Sequence, residues 1–167
     1  LKAFADTDWN TFTKKFSKLP DEVQREMLKE YKDIPNLLPE KLGLKNTGIL
    51  NKNEDRLQSV IQTNAKYGTE TAQKEIDVYA NVEDGNLKEF YNTIESLPNE
   101  VKTRLYTENP GYAVLEDYKE DIEELSEKEK KVVINTVTKG DFDSKEWQNF
   151  TKKHPKLAVG MQVETES

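Results

Sequence analysis

"FSKLPDEV" occupies residues 16–23, and "IESLPNEV" occupies residues 94–101. The phrase is awkward for any regular element, because a proline in mid-helix removes a backbone donor and clashes with the preceding turn. Its surroundings explain it. Before the first copy, Trp9, Phe12, Phe16 and Leu19 fall at spacings of 3, 4 and 3, one face of an α-helix. Before the second, Leu87, Phe90, Ile94 and Leu97 repeat that spacing. Pro20 and Pro98 each end one helix and open the next, where a missing N–H is tolerated. Glu22 and Glu100 then fall in the new helix's first turn, facing the positive end of its dipole.

The key positions from Phe12 to Val23 thus recur at an offset of 78 residues. An internal repeat outranks any short motif as evidence of architecture. The first copy continues with Val23, Met27 and Tyr31 as the expected apolar face of its second helix. Pro35 punctuates it, and "NLLPEKLG" reads as a turn-rich segment ending at Gly43. Asp6 or Thr7 is the expected cap of the first helix, with Asp8 in its first turn. The second copy continues through Val101 and Leu105 to Pro110 and "GYAVLEDY".

A third, worn copy lies near the C-terminus and admits two alignments. "EWQNFTKKH" at 146–154 resembles "DWNTFTKKF" at 8–16, with Trp147, Phe150, His154 and Leu157 at the same spacing. Alternatively "LSEKEKKVV" at 125–133 is the degenerate second helix, and Pro155 corresponds to Pro35 and Pro110.

Repeat-like units therefore fall at about 6–43, 85–120 and 125–159, linked by helix over 54–81. In that link Leu57, Val60, Ile61, Ala65, Ala72, Ile76, Tyr79 and Ala80 predict one long helix or two interrupted near Gly68. "KVVINTVT" is dense in β-branched residues, but the helix start in "SEKEK" precedes it, so it reads as helix. "TKGDFDSKEW" restarts a helix, with Asp143 and Glu146 as the expected capping pair. The whole predicts an all-α chain of about six to eight helices, a short α-solenoid or irregular bundle of helix–Pro–helix units.

Composition supports this class and removes others. Of the 167 residues, 34% are hydrophobic and 34% charged, too polar for a membrane span. The 25 basic and 32 acidic residues leave a net charge of −7, which disfavours a large phosphate-binding footprint and favours a basic partner. Cysteine is absent, so thiol catalysis, disulfides and Cys-ligated zinc are excluded. The single histidine, His154, rules out a multi-His metal site and most Ser-His-Asp chemistry. The chain opens "LKAFADTDW", with no basic and apolar leader pattern, and closes "GMQVETES", polar and without a structural stop signal. A piece of a longer protein is one expectation from these ends; trimmed ends are the other.

Candidate chemistry is sparse. Asp141 and Asp143 could begin a calcium loop, but the Gly and Glu such a loop needs at its sixth and twelfth positions are Glu146 and Lys152. The pairs Lys14–Lys15 and Lys152–Lys153 adjoin aromatics, yet read best as solvated outer positions. His154 replaces Phe16 and Ile94 of the repeat, so packing or helix-end charge is expected of it before base catalysis. Trp9 and Trp147 are expected core anchors. The densest chemistry is "EDYKEDIEELSE", whose Glu116, Asp117, Glu120, Asp121, Glu123, Glu124 and Glu127 form a candidate acidic docking face. No catalytic residue, cofactor site or metal site is assigned.

The expected function is a non-enzymatic structural or protein-interaction segment of a larger protein or assembly. Its partners would be proteins, including further segments of the same polypeptide. Lys, Asn and Glu richness without cysteine suits an internal virion protein of a phage, an impression of composition and not of family. The alternatives are a small acidic binder or inhibitor docking on a basic surface, and a carboxylate-dependent hydrolase.

Overall fold

The computed structural model describes residues 8–51 and 53–167. Among these it is all-α, with twelve α-helices, one 3-10 turn and no strand. The helices are α1 (Trp9–Ser17), α2 (Asp21–Glu30), α3 (Asp33–Lys41), α4 (Glu54–Tyr67), α5 (Thr69–Glu83) and α6 (Leu87–Glu95). They continue with α7 (Asn99–Glu108), α8 (Pro110–Asp117), α9 (Lys119–Glu123), α10 (Glu127–Lys139), α11 (Lys145–Lys153) and α12 (Pro155–Glu166).

Six to eight helices were too few, because a segment that reads as turn-rich and one that lies beyond the last expected unit are helical. Residues 33–41 form α3 despite two prolines. Pro35 lies in its first turn, where its missing N–H has no intrahelical role, and Pro39 forfeits a single bond further in. The closing "GMQVETES", which lies beyond the last expected unit at about 125–159, is largely α12. "KVVINTVT" is helical, inside α10.

The chain divides into two compact units between Ala80 and Asn81, a point inside α5. In the first unit α1 packs on α4, and α2 packs on both α3 and α4. Asp8 caps α1, accepting from Asn10 N at 3.1 Å and Thr11 N at 3.3 Å. The cap is therefore Asp8, one residue after the expected position; Asp6 and Thr7 lie outside the described residues. Trp9, Phe16, Leu28, Ile34, Leu38, Leu57, Val60 and Ile61 supply much of the buried surface. Gly68, at φ 94°, separates α4 from α5, a conformation that L side chains rarely adopt.

This core also holds polar groups. Glu75 is fully buried and accepts from the Thr63 and Tyr79 hydroxyls, each at 2.5 Å. Gln24 is fully buried too. Its amide donates to the Leu19 carbonyl at 3.0 Å, and its side-chain oxygen accepts from Gln58 at 3.0 Å and Gln62 at 2.9 Å. Buried polar groups of this kind are tolerated only when partnered.

In the second unit α8 is the hub, contacting α7, α9, α10 and α12. Gly111 permits the closest approach: a Cβ there would overlap the Val137 carbonyl of α10. Phe90 meets Tyr112 edge to face at 5.5 Å, and the Tyr91 hydroxyl donates to the Leu115 carbonyl at 2.7 Å, tying α6 to α8. Trp147 is buried and stacked on Phe150 at 5.1 Å. The cap of α11 is Ser144, which accepts from Trp147 N at 3.1 Å, and not Asp143 paired with Glu146. Asp141 instead accepts from Asp143 N at 3.2 Å, which tightens the turn before the cap.

The repeated phrase builds one corner. Lys18 and Ser96 end their helices at φ −86°, ψ −11° and φ −79°, ψ −7°. The next two amides bond back three residues, Leu19 to Phe16 and Leu97 to Ile94. Pro20 and Pro98 then sit at φ −57° with ψ 148° and 146° and open the second helix. A third corner follows α9: Glu124 lies at φ −82°, ψ −10°, Leu125 N bonds to Ile122, and Ser126 at φ −65°, ψ 160° replaces the proline. Ser126 opens α10 with a capping box shared with Glu129. This supports the alignment that starts at Leu125. The same alignment equates Pro155 with Pro110 and Pro35: Pro155 and Pro110 each follow one extended residue, His154 or Asn109, and start a helix, whereas Pro35 is the third residue of α3.

The expected apolar face of α2 is displaced. Gln24 and Leu28 are buried, whereas Val23 and Tyr31 are exposed and Met27 is half-exposed. In α7 the equivalents of Val23 and Met27, Val101 and Leu105, are fully buried. The reason is Gln24. Its bonds to Gln58 and Gln62 turn the face one residue onward toward α4, and the second copy has Lys102 at that position.

Candidate interaction surface

The acidic segment 116–127 covers the end of α8, all of α9, and the third corner. Ile122 is the pin of α9: it is fully buried, so Glu120, Asp121, Glu123 and Glu124 around it are exposed. Asp117 and Glu127 are exposed as well, and Glu116 is half-buried.

The structure does not keep the seven carboxylates in one role. Glu127 accepts from Lys130 at 3.3 Å and serves the start of α10. Glu120, Asp121 and Glu124 face solvent. Glu116 and Glu123 lie near Tyr91, Glu116, Asp117 and Glu95 lie near Tyr106, and Glu164 meets Asp117. Burial and the neighbouring Glu95 hold the Glu116 carboxyl above its ordinary range, against the opposing pull of Lys119 and Lys102. Burial, then a hydrogen bond with Asp117, raises Glu164. One oxygen of Glu116 and one of Glu164 is buried without a hydrogen-bond partner. Burial, reinforced by Glu116, Asp117 and Glu95, pushes the Tyr106 hydroxyl up to about 12. Tyr91 is raised for the same first reason, with Glu116 and Glu123 adding to it. The Lys119 ammonium lies 4.8 Å from the centre of the Tyr91 ring, the placement of a cation–π contact.

Sequence reading missed Glu95 and Glu164. Glu95 follows Ile94 in the repeated phrase, where the helical period places it on the outer side of α6. Glu164 lies beyond the last expected unit, and the helix α12 brings it beside Asp117.

The other candidates settle into structural positions. His154 is half-buried, with Nε2 2.8 Å from Glu129 Oε2 and its ring 4.9 Å from Phe150. Lys14, Lys15, Lys152 and Lys153 occupy the last turns of α1 and α11, where cations complement the helix dipole. In the first unit a cavity of about 430 Å³ is floored by Leu28, Leu50 and Leu57 and rimmed by Lys32, Glu40 and Glu54. Among the described residues no group of three or more acids or histidines is arranged to hold a metal ion, and no helix is long and apolar enough to cross a membrane. Comparison with protein-family models, curated proteins and solved structures finds no match to this chain.

Proposed function

We propose that this chain is a non-enzymatic interaction protein whose second unit docks a basic protein surface through the carboxylates of α6, α8, α9 and α12. The observation that carries this reading is the placing of Glu116 beside Glu95 and of Glu164 beside Asp117, where burial first and the neighbouring acid second raise each carboxyl, and one oxygen of each is buried without a hydrogen-bond partner. Like charges held together store unfavourable energy that an incoming Lys or Arg relieves, so recognition gains where the free protein is strained. The second and third corners, both within the second unit, supply a helical frame for such a surface.

Calorimetric titration of the full chain with an oligolysine peptide at several salt concentrations tests it. Removing charge at Glu116, Asp117, Glu120 and Glu123 is expected to weaken binding at least about tenfold and to flatten the salt dependence. Removing the same number of charges at Asp21, Glu22, Glu26 and Glu30 keeps net charge equal and is expected to leave affinity within about twofold. Equal loss in both sets would reduce the effect to net charge and sink the reading.

A further inference from the structure

We propose that Lys119 is a built-in stand-in for a lysine of the docking partner: its ammonium lies on the Tyr91 ring, and a partner's lysine displaces it when the acidic surface is engaged. This rests on the docking reading above and names the group that the surface recognises.

Lys119 is the one cation in the run 116–127, among seven acids. Glu120, Asp121, Glu123 and Glu124 around it are exposed, whereas Lys119 is half-buried. Its ammonium lies 4.8 Å from the centre of the Tyr91 ring, and Tyr91 is only 3% exposed. The ring is fixed from below. Its hydroxyl donates to the Leu115 carbonyl at 2.7 Å, and it meets Phe90 edge to face at 5.4 Å. Glu116 stands three residues before Lys119 and Glu123 one helical turn after it, and both carboxylates act on Tyr91. A held aromatic ring with carboxylates on either side is chemistry that receives an ammonium. Lys119 identifies the form of that cation, a primary ammonium on a flexible four-carbon stem.

Lys119 fills the place incompletely. Among the described residues its ammonium makes no ion pair with either acid. Glu116 keeps a buried oxygen without a hydrogen-bond partner, although Lys119 draws on its charge. The reason is the tether. Lys119 is the first residue of α9, which the fully buried Ile122 pins to the core, so its ammonium reaches the ring without closing on a carboxylate. A lysine carried by a partner has no such tether. It can take the ring and a carboxylate together, adding a charge-assisted bond to the cation–π contact. While Lys119 lies on the ring, apparent affinity falls by the fraction of molecules in which the place is open.

Calorimetric titration of the full chain with oligolysine compares wild type, Lys119→Gln and Lys139→Gln. Lys139 is exposed in the last turn of α10, and the two variants carry equal net charge. Lys119→Gln is expected to tighten binding at least about fivefold, and Lys139→Gln to change it less than about twofold. Circular dichroism checks that the helices persist; Lys119→Met, which keeps the stem and removes the charge, serves if the glutamine variant loses helix. Equal tightening in both variants reduces the effect to net charge and overturns the proposal. So does unchanged or weaker binding after the Lys119 substitution. Carbon–proton NMR follows the exchange itself. The terminal methylene protons of Lys119 are expected upfield in the free protein, shielded by the Tyr91 ring, and at their ordinary lysine position with saturating oligolysine. An upfield shift that persists at saturation overturns the displacement and leaves the docking reading standing. Failure of every variant to bind oligolysine overturns both.

Discussion

His154 Nε2 lies 2.8 Å from Glu129 Oε2, while the other oxygen of Glu129 accepts from the Ser126 amide at 3.2 Å. One carboxylate thus closes the capping box of α10 and holds the residue that joins α11 to α12. The Glu129 carboxyl is lowered, first by the bond from His154 and then by the Ser126 amide. A carboxylate accepting from the ring requires the proton on Nε2.

The sign of the pH dependence follows. A carboxyl lowered in the folded state contributes stability that is present above its ordinary value and lost as pH falls through the lowered one. Glu129→Gln is therefore expected to reduce the melting temperature by a few degrees at pH 7. The gap to wild type should close as pH falls below the carboxylate range. Thermal melts from pH 7 to pH 3 measure it, and a gap that widens on acidification contradicts the assignment.

Glu164 has the opposite sign. Its carboxyl is raised, so the folded state holds the proton more tightly, and stability falls as pH rises from the ordinary value of 4.5 through the raised one. Glu164→Gln keeps an amide donor for Asp117 and removes the charge. It is expected to raise the melting temperature at pH 7, by roughly 1–2 °C because solvent screens the site. The gain should vanish below about pH 4, where both forms are neutral.

Two glycines separate rigid from yielding contacts. A Cβ at Gly111 would overlap the backbone carbonyl of Val137, so α8 and α10 must part. A Cβ at Gly160 would lie 2.6 Å from the Tyr118 hydroxyl, the far end of a side chain that can swing away. Gly111→Ala is expected to cost about 2–3 kcal/mol and Gly160→Ala under about 1 kcal/mol. Urea unfolding of the two variants compares them.

The two copies of the corner predict a further contrast. Val101 is fully buried and Val23 exposed, at equivalent positions. Val101→Ala is expected to cost about 2 kcal/mol, and Val23→Ala less than about 0.5 kcal/mol. Urea titration of the two variants decides it; equal losses would contradict the exposure of Val23.

The corner itself was legible because its causes are local. A Leu closing a 3-4-3 stripe, a proline that cannot continue a helix, and a glutamate in the next first turn act over a few residues, and they act alike wherever the phrase recurs. The helical class of α10 could be read for the same reason: Ser126 and Glu129 cap it before the β-branched run begins. The helix count was less legible. Pro35 and Pro39 signal breaks in isolation, yet Ile34 and Leu38 are fully buried, and that burial offsets the lost bond.

Which face of a helix turns inward is not a local property. Val23 and Val101 stand in the same phrase, but Gln24 finds Gln58 and Gln62 across the first unit, and Lys102 has no such role in the second. The acidic surface divides along the same line. The run 116–127 announces its charge in the primary structure. That Glu116 and Asp117 meet Glu95 and Glu164 depends on helices from distant parts of the chain converging on α8. Spacing and capping act through neighbours in sequence, so the chain carries its own helices and corners. Burial and electrostatic crowding act through neighbours in space, so the faces of those helices become defined only when the units pack.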